Sequence, residues 1–115
     1  MEARHLLNQL KDDGWYLGDT EGASRQYVHP NESGVVTVCV RYTDILGPET
    51  ERAAATPGES WSGDDEIVVE STATGASAFV RGLNGCAATG QDEAEARDRL
   101  AEALVLHRRA LERAA

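Results

Sequence analysis

Residues 56–65, TPGESWSGDD, cut the chain into two segments that are each short of core. Pro, Gly, Ser and acid stand there in linker proportions. Trp61 is the exception, an aromatic large enough to pin the connection onto one of its neighbours. The sequence holds 47 apolar residues, but 17 of them are alanine, which leaves 17 larger apolar side chains before residue 59 and 13 after it. Segments of this size bury only about 60% of their unfolded surface and are marginal alone. The expected organisation is a first domain over 1–58, a linker over 59–65 and a second domain over 66–115. The two are expected to pack on each other, or the chain to dimerise through sheet edges or its last helix.

Periodicity supplies the elements. Ala3, Leu6, Leu7 and Leu10 fall at i, i+3, i+4 and i+7, one stripe of a helix over 2–13 that Gly14 ends in a left-handed conformation. Trp15-Tyr16-Leu17 reads as a strand, 18–24 as a polar connection, 25–29 as a second strand and 30–34 as a turn. Val35–Tyr42 is the clearest strand, with Val36, Val38, Val40 and Tyr42 on one side and Val35, Thr37, Cys39 and Arg41 on the other. Glu49–Ala55 is expected to form two helical turns that offer only alanine and so dock weakly.

The second segment gives strands over 66–71, 77–83 and 86–89. Asp92 and Glu95 then form a capping box that opens a long helix. Ala96, Leu100, Ala103, Leu104, His107 and Leu111 make its apolar stripe, and Val105 lies on the opposite side. The fold class is α+β, in the order α-β-β-β-(α) followed by β-β-β-α.

Twenty acidic against eleven basic residues give a net charge of −9, the wrong sign for capturing phosphate or an anionic membrane. No apolar run approaches the ~20 residues of a membrane span, and the N-terminus opens directly on the amphipathic pattern with no signal-peptide core. Cys39 and Cys86 are too few and too far apart for a disulfide framework, so a reduced cytoplasmic setting is expected. One Lys beside ten Arg, with many Ala and Gly, fits a GC-rich bacterial genome.

Three stretches of the first segment carry a family resemblance: Gly14-Trp15-Tyr16-Leu17, the run from Gly22 to Pro30 (GASRQYVHP), and Gly34-Val35-Val36-Thr37-Val38. Together they resemble HicA, a family of bacterial mRNA-interferase toxins. The resemblance implies a double-stranded-RNA-binding-like fold and metal-free RNA cleavage. It covers residues 1–42 well and 43–58 poorly. Residues 66–113 resemble HicB, the cognate antitoxin, in its partial RNase-H-like domain. The residues concerned are Ile67-Val68-Val69-Glu70, the hairpin around Gly75, Gly82–Gly90 with Asn84 in place of the family's proline, and the acidic start of the last helix. Two partners that are normally separate chains look fused here.

The departures from the family point to a function. The HicA histidine position holds Ser24, in a degenerate site of Gly22, Ser24 and Arg25 with His29 as the possible substitute base. Metal-free cleavage needs a group that takes the 2′-hydroxyl proton near pH 7; imidazole does this and an unassisted serine does not. Residues 1–58 carry 5 basic and 9 acidic side chains, and the second helix lacks the family's basic residues. The toxin-like segment therefore reads as catalytically dead.

Glu66 and Glu70 share a strand face that Asp64, Asp65 and Asp92 could approach, but nothing fixes a metal geometry, and neither metal nor cofactor is expected. The residues expected to carry interaction are Leu100, Leu104, His107, Leu111 and Trp61. The leading expectation is a non-catalytic fusion whose antitoxin-like segment covers its own toxin-like segment or a related toxin in trans. Two alternatives stay open: an autoinhibited RNA-cleaving or RNA-binding domain, and a dimeric scaffold unrelated to RNA. Direct DNA binding is not expected, because the sequence ends right after the helix.

Overall fold

The computed structural model describes residues 1–59 and 66–114; Trp61, Asp64, Asp65 and most of the expected linker lie outside the described residues. Helix α1 (Ala3–Asp12) buries the expected stripe of Ala3, Leu6, Leu7 and Leu10. No side chain caps its start. Instead the carbonyls of Asp44 and Tyr42 accept from the N–H groups of Ala3 and Arg4 at 2.8 and 2.9 Å. Gly14, at φ +96°, turns the chain so that Trp15 enters the core.

Strands β1 (Tyr16–Glu21) and β2 (Ser24–Val28) form a hairpin over Gly22-Ala23. Gly22 has φ +57° and Ala23 is not among the positive-φ residues, the pattern of a type II′ turn. Then follow β3 (Val36–Cys39), α2 (Pro48–Ala55), β4 (Ile67–Thr72), β5 (Gly75–Val80), β6 (Cys86–Gly90) and α3 (Glu93–Ala114). The α3 start carries the expected cap, with its return bond displaced by one residue: Asp92 Oδ1 accepts from Glu95 N–H at 2.8 Å, while Glu95 Oε1 accepts from Gln91 N–H at 3.0 Å and not from Asp92 N–H.

All six strands belong to one mixed sheet in the order β1-β2-β3-β6-β5-β4. The two segments join where β3 and β6 run parallel, with Thr37, Val38 and Cys39 opposite Cys86, Ala87 and Ala88; every other pairing is antiparallel. The fold is thus α+β, with three helices and one six-stranded sheet among the described residues. Helices α1 and α2 cover one face and α3 covers the other. The shortage of large apolar residues is met by alanine. Ala76, Ala78, Ala88, Ala96 and Ala103 are buried between the sheet and α3, where small side chains let helix and sheet approach closely around Val80, Leu83 and Leu100.

Three local expectations change. The polar connection expected over 18–24 is mostly strand, since β1 runs on to Glu21, β2 starts at Ser24 and only Gly22-Ala23 turns. The third strand ends at Cys39 and not at Tyr42, because residues 41–46 leave the sheet to supply the carbonyls that α1 needs; Tyr42 is left half exposed. Helix α2 also docks by more than alanine. The Glu70 carboxylate of β4 accepts from Thr50 N–H at 2.6 Å, Thr50 Oγ1 at 2.7 Å and Glu49 N–H at 3.2 Å. It therefore clamps the helix N-terminus, where a negative charge is favoured. Burial works to raise the Glu70 pKa, but the bonds from Thr50 and Glu49 outweigh it and hold the carboxyl below its ordinary value. No helix of the described residues is long and apolar enough to cross a membrane.

Candidate functional site: the sheet face beneath the last helix

Alternation along β2 and β3 decides which side chains reach α3. Arg25 and Tyr27 on β2 share a face with Val36 and Val38 and pack toward α1, so Ser24 and Gln26, with Thr37 and Cys39 of β3, point the other way. Helix α3 lies across β6, β5 and β4 and continues over β3 and β2, onto the first segment. Its underside meets that face in a polar line. Gln26 Nε2 donates to Thr37 Oγ1 at 3.0 Å and to the Leu106 carbonyl at 3.2 Å, while Thr37 Oγ1 lies 2.8 Å from His107 Nδ1. Thr37 Oγ1 thus stands between the Gln26 amide and the His107 ring, its two lone pairs and one proton serving both contacts.

His107 is fully buried, and among the described residues Nε2 has no partner in hydrogen-bonding geometry. Burial pushes its pKa down to about 4, the backbone carbonyl of Asn84 working against that shift. Gly58 leaves room for the ring, since a Cβ there would lie 2.9 Å from Nε2. Farther along α3, Cys39 Sγ lies 3.8 Å from Glu102 Oε2. Burial raises the Cys39 thiol pKa, opposed by the neighbouring Ser24 hydroxyl. Both cysteines are free and buried.

The structure separates the residues of the degenerate site. Ser24 is 0% exposed beneath α3, and among the described residues its Oγ has no partner in hydrogen-bonding geometry. Arg25 points to the opposite face, where its guanidinium sits 4.8 Å from the centre of the Tyr42 ring. His29 stands past the far end of β2, edge-on to Trp15 with ring centroids 5.3 Å apart. Its Nδ1 accepts from Asn31 N–H at 3.0 Å, so its Nε2 carries the proton and donates to the Asp13 carbonyl at 2.8 Å. Both nitrogens are occupied, and the ring serves the fold, not a proton transfer. Gly22 sits at the hairpin tip with open space around it.

Beside that tip, a groove of about 610 Å³ runs between the hairpin and α3. Glu21, Glu95, Asp98 and Glu102 line it, with Arg99 as the one cation among its lining residues. Such a lining repels phosphate. Farther toward the C-terminus of α3, Arg109 pairs with Glu21, and Arg113 lies 3.5 Å from Asp19. The end of α3 is therefore held to β1 by charge.

Four of the five residues expected to carry interaction lie in the packing under α3. Leu100 and His107 are fully buried, while Leu104 and Leu111 are half-buried against the core under α3; Trp61 lies outside the described residues. The acids do not converge. Glu66 pairs with Arg81 at 3.1 Å, Glu70 caps α2 and Asp92 caps α3. Among the described residues, no three His, Cys, Asp or Glu side chains stand together to hold a metal. Sequence reasoning missed Gln26 and Thr37. The available signal was His107 itself, a polar ring in an apolar stripe that requires a polar partner on whatever it covers.

Comparison of the chain with family models, curated proteins and solved structures finds no match.

Proposed function

We propose that this chain is a non-catalytic fusion resembling HicA and HicB, in which the antitoxin-like segment permanently closes the face that a HicA-like toxin would present to RNA. On this reading, residues 1–58 are a degenerate double-stranded-RNA-binding-like unit and residues 66–115 a partial RNase-H-like unit, acting in the cytoplasm by protein–protein contact. One observation carries it: Ser24, at the family's histidine position, is fully buried beneath α3 of the other segment. The cover is tied down by the Gln26–Thr37–His107 line, whose members come from both segments. The acidic groove at the hairpin tip adds support, because it disfavours RNA where the toxin-like site would open.

The test uses the full chain. Wild type and Ser24→His are incubated with single-stranded RNA in EDTA, and their urea unfolding is measured in parallel. Neither protein is expected to cleave. The added ring has to fit a site with no exposure, and the expected loss of stability is about 1–3 kcal/mol. Metal-free cleavage by wild type that falls on Arg25 or His29 substitution would overturn the proposal. Cleavage gained by Ser24→His in the intact chain would overturn it too, since RNA would then reach a face that the proposal holds closed.

A further inference from the structure

The two edges of the sheet are treated differently. At the β1 edge the register slips between Leu17 and Asp19, and the carboxylates of Asp19 and Glu21 are engaged by arginines of α3. A bulge and edge charges are the usual means of stopping a strand from pairing onward. Strand β4, Ile67-Val68-Val69-Glu70-Ser71-Thr72, has none of these features. It keeps unbroken register with β5 over all six residues and contains neither proline nor lysine. Its one charged residue, Glu70, is turned onto α2. Among the described residues nothing pairs with its outer side.

The ladder shows which groups are left over. Arg81 N–H donates to the Glu66 carbonyl at 2.8 Å, and residues 67–72 continue in register with 80–75. In an antiparallel ladder, the even-numbered residues of β4 are then the ones bonded to β5. The N–H and C=O groups of Ile67, Val69 and Ser71 point outward. The same three residues turn their side chains to the α3 face. There Ile67 and Val69 are only partly buried, next to partly buried Leu104 and Leu111.

We infer that β4 is a self-association edge, its partner a second copy of β4 running antiparallel about a two-fold axis through Val69. Symmetric pairing has three placements that keep most of the strand engaged, and charge selects among them. An axis through Val68 sets Glu66 opposite Glu70 of the other copy, and an axis through Glu70 sets the two Glu70 carboxylates against each other. Like charges directly opposite are destabilising. The axis through Val69 puts Val68 opposite Glu70 and Ile67 opposite Ser71. It is the placement free of acid facing acid, and it uses all the outward-pointing groups. It also brings Ile67, Val69, Leu104 and Leu111 of the two copies together along one side of a twelve-stranded sheet. The inference does not rest on the role proposed for the Ser24 face, which lies toward the other end of the sheet.

Single cysteines in the full-length chain, under mild oxidation, test the register. Opposed residues in a hydrogen-bonded pair have Cα atoms about 5.5 Å apart, within disulfide reach. Val69→Cys is expected to give a covalent dimer. Ser71→Cys alone is expected to give no covalent dimer, because its two copies would sit about 13 Å apart along the strand. A mixture of Ile67→Cys and Ser71→Cys is expected to cross-link. Cys39 and Cys86, both buried, leave wild type as the silent control. Sedimentation of wild type is expected to show a monomer–dimer equilibrium that tightens several-fold from about 0.05 to about 0.5 M salt, since each copy carries −9. A monomer at about 100 μM protein, where mass action favours association, would overturn the inference. So would Ser71→Cys cross-linking as readily as Val69→Cys.

Discussion

Acid should weaken this fold through His107 in a way that one substitution isolates. The ring is fully buried and neutral, and burial holds its pKa at about 4 against about 6.5 in the unfolded chain. Between those two values the unfolded state binds a proton that the folded state refuses. Stability from this residue is therefore complete above about pH 6.5 and declines as pH falls toward 4. From pH 7 to pH 5 the two pKa values give a loss of about 2 kcal/mol, and the full decline to pH 4 and below approaches 3 kcal/mol. The many carboxylates titrate over part of the same range, so the informative quantity is a difference between proteins.

Urea unfolding of wild type and His107→Gln at pH 7 and pH 5 provides it, because the amide has no such titration and can still accept from Thr37. Wild type should lose about 2 kcal/mol more than the variant over this interval, while shared carboxylate effects cancel to first order. Equal losses in the two proteins would refute the assignment of His107 as a buried neutral base. A wild-type imidazole resonance that titrates near pH 6.5 and vanishes in His107→Gln would refute it independently.

Other outcomes follow from described contacts. Glu70→Gln keeps the side-chain shape but removes the charge at the α2 N-terminus and turns one acceptor into a donor facing N–H groups; a stability loss of about 1–3 kcal/mol is expected by denaturant titration. Because the Glu70 pKa is lowered in the fold, the contribution of its charge should be present above the unfolded carboxyl's range and be lost as pH falls through the folded value. The gap between wild type and Glu70→Gln should accordingly narrow in acid, and a gap that widens would contradict the clamp. Cys39 and Cys86 are both buried with raised pKa values, so a thiol reagent at neutral pH should label neither in the native protein and both in urea. Rapid labelling of either native thiol would show that the α3 layer opens readily.

Sequence periodicity was informative wherever structure is local. The α1 stripe, the Gly14 turn, the Asp92–Glu95 box and the α3 stripe are all written in residues within a few positions of one another. What it missed depends on distant partners. The alternation through Tyr42 is genuine, yet the chain leaves the sheet earlier because α1, some forty residues upstream, needs the carbonyls of Tyr42 and Asp44. Glu70 reads as a solvent-facing strand residue until α2 is placed over it. Nothing local marks Ser24, whose burial is set by which face α3 covers. The parallel joint between β3 and β6 leaves no local signature, since parallel neighbours can be far apart in sequence.

That joint also sets an order in time. At the ribosome, α1 to β3 are complete while the β3 edge, Val36–Cys39, still lacks its neighbour, because β6 is made roughly fifty residues later, about 3–10 s at usual synthesis rates. The face holding Ser24, Gln26 and Thr37 stays open longer still, until α3 has emerged. Each nascent chain thus passes through an interval in which its first half stands uncovered, with a bare strand in what becomes the middle of the sheet. Aggregation and chaperone capture act within that interval, and a chain whose synthesis stops short of α3 never leaves it.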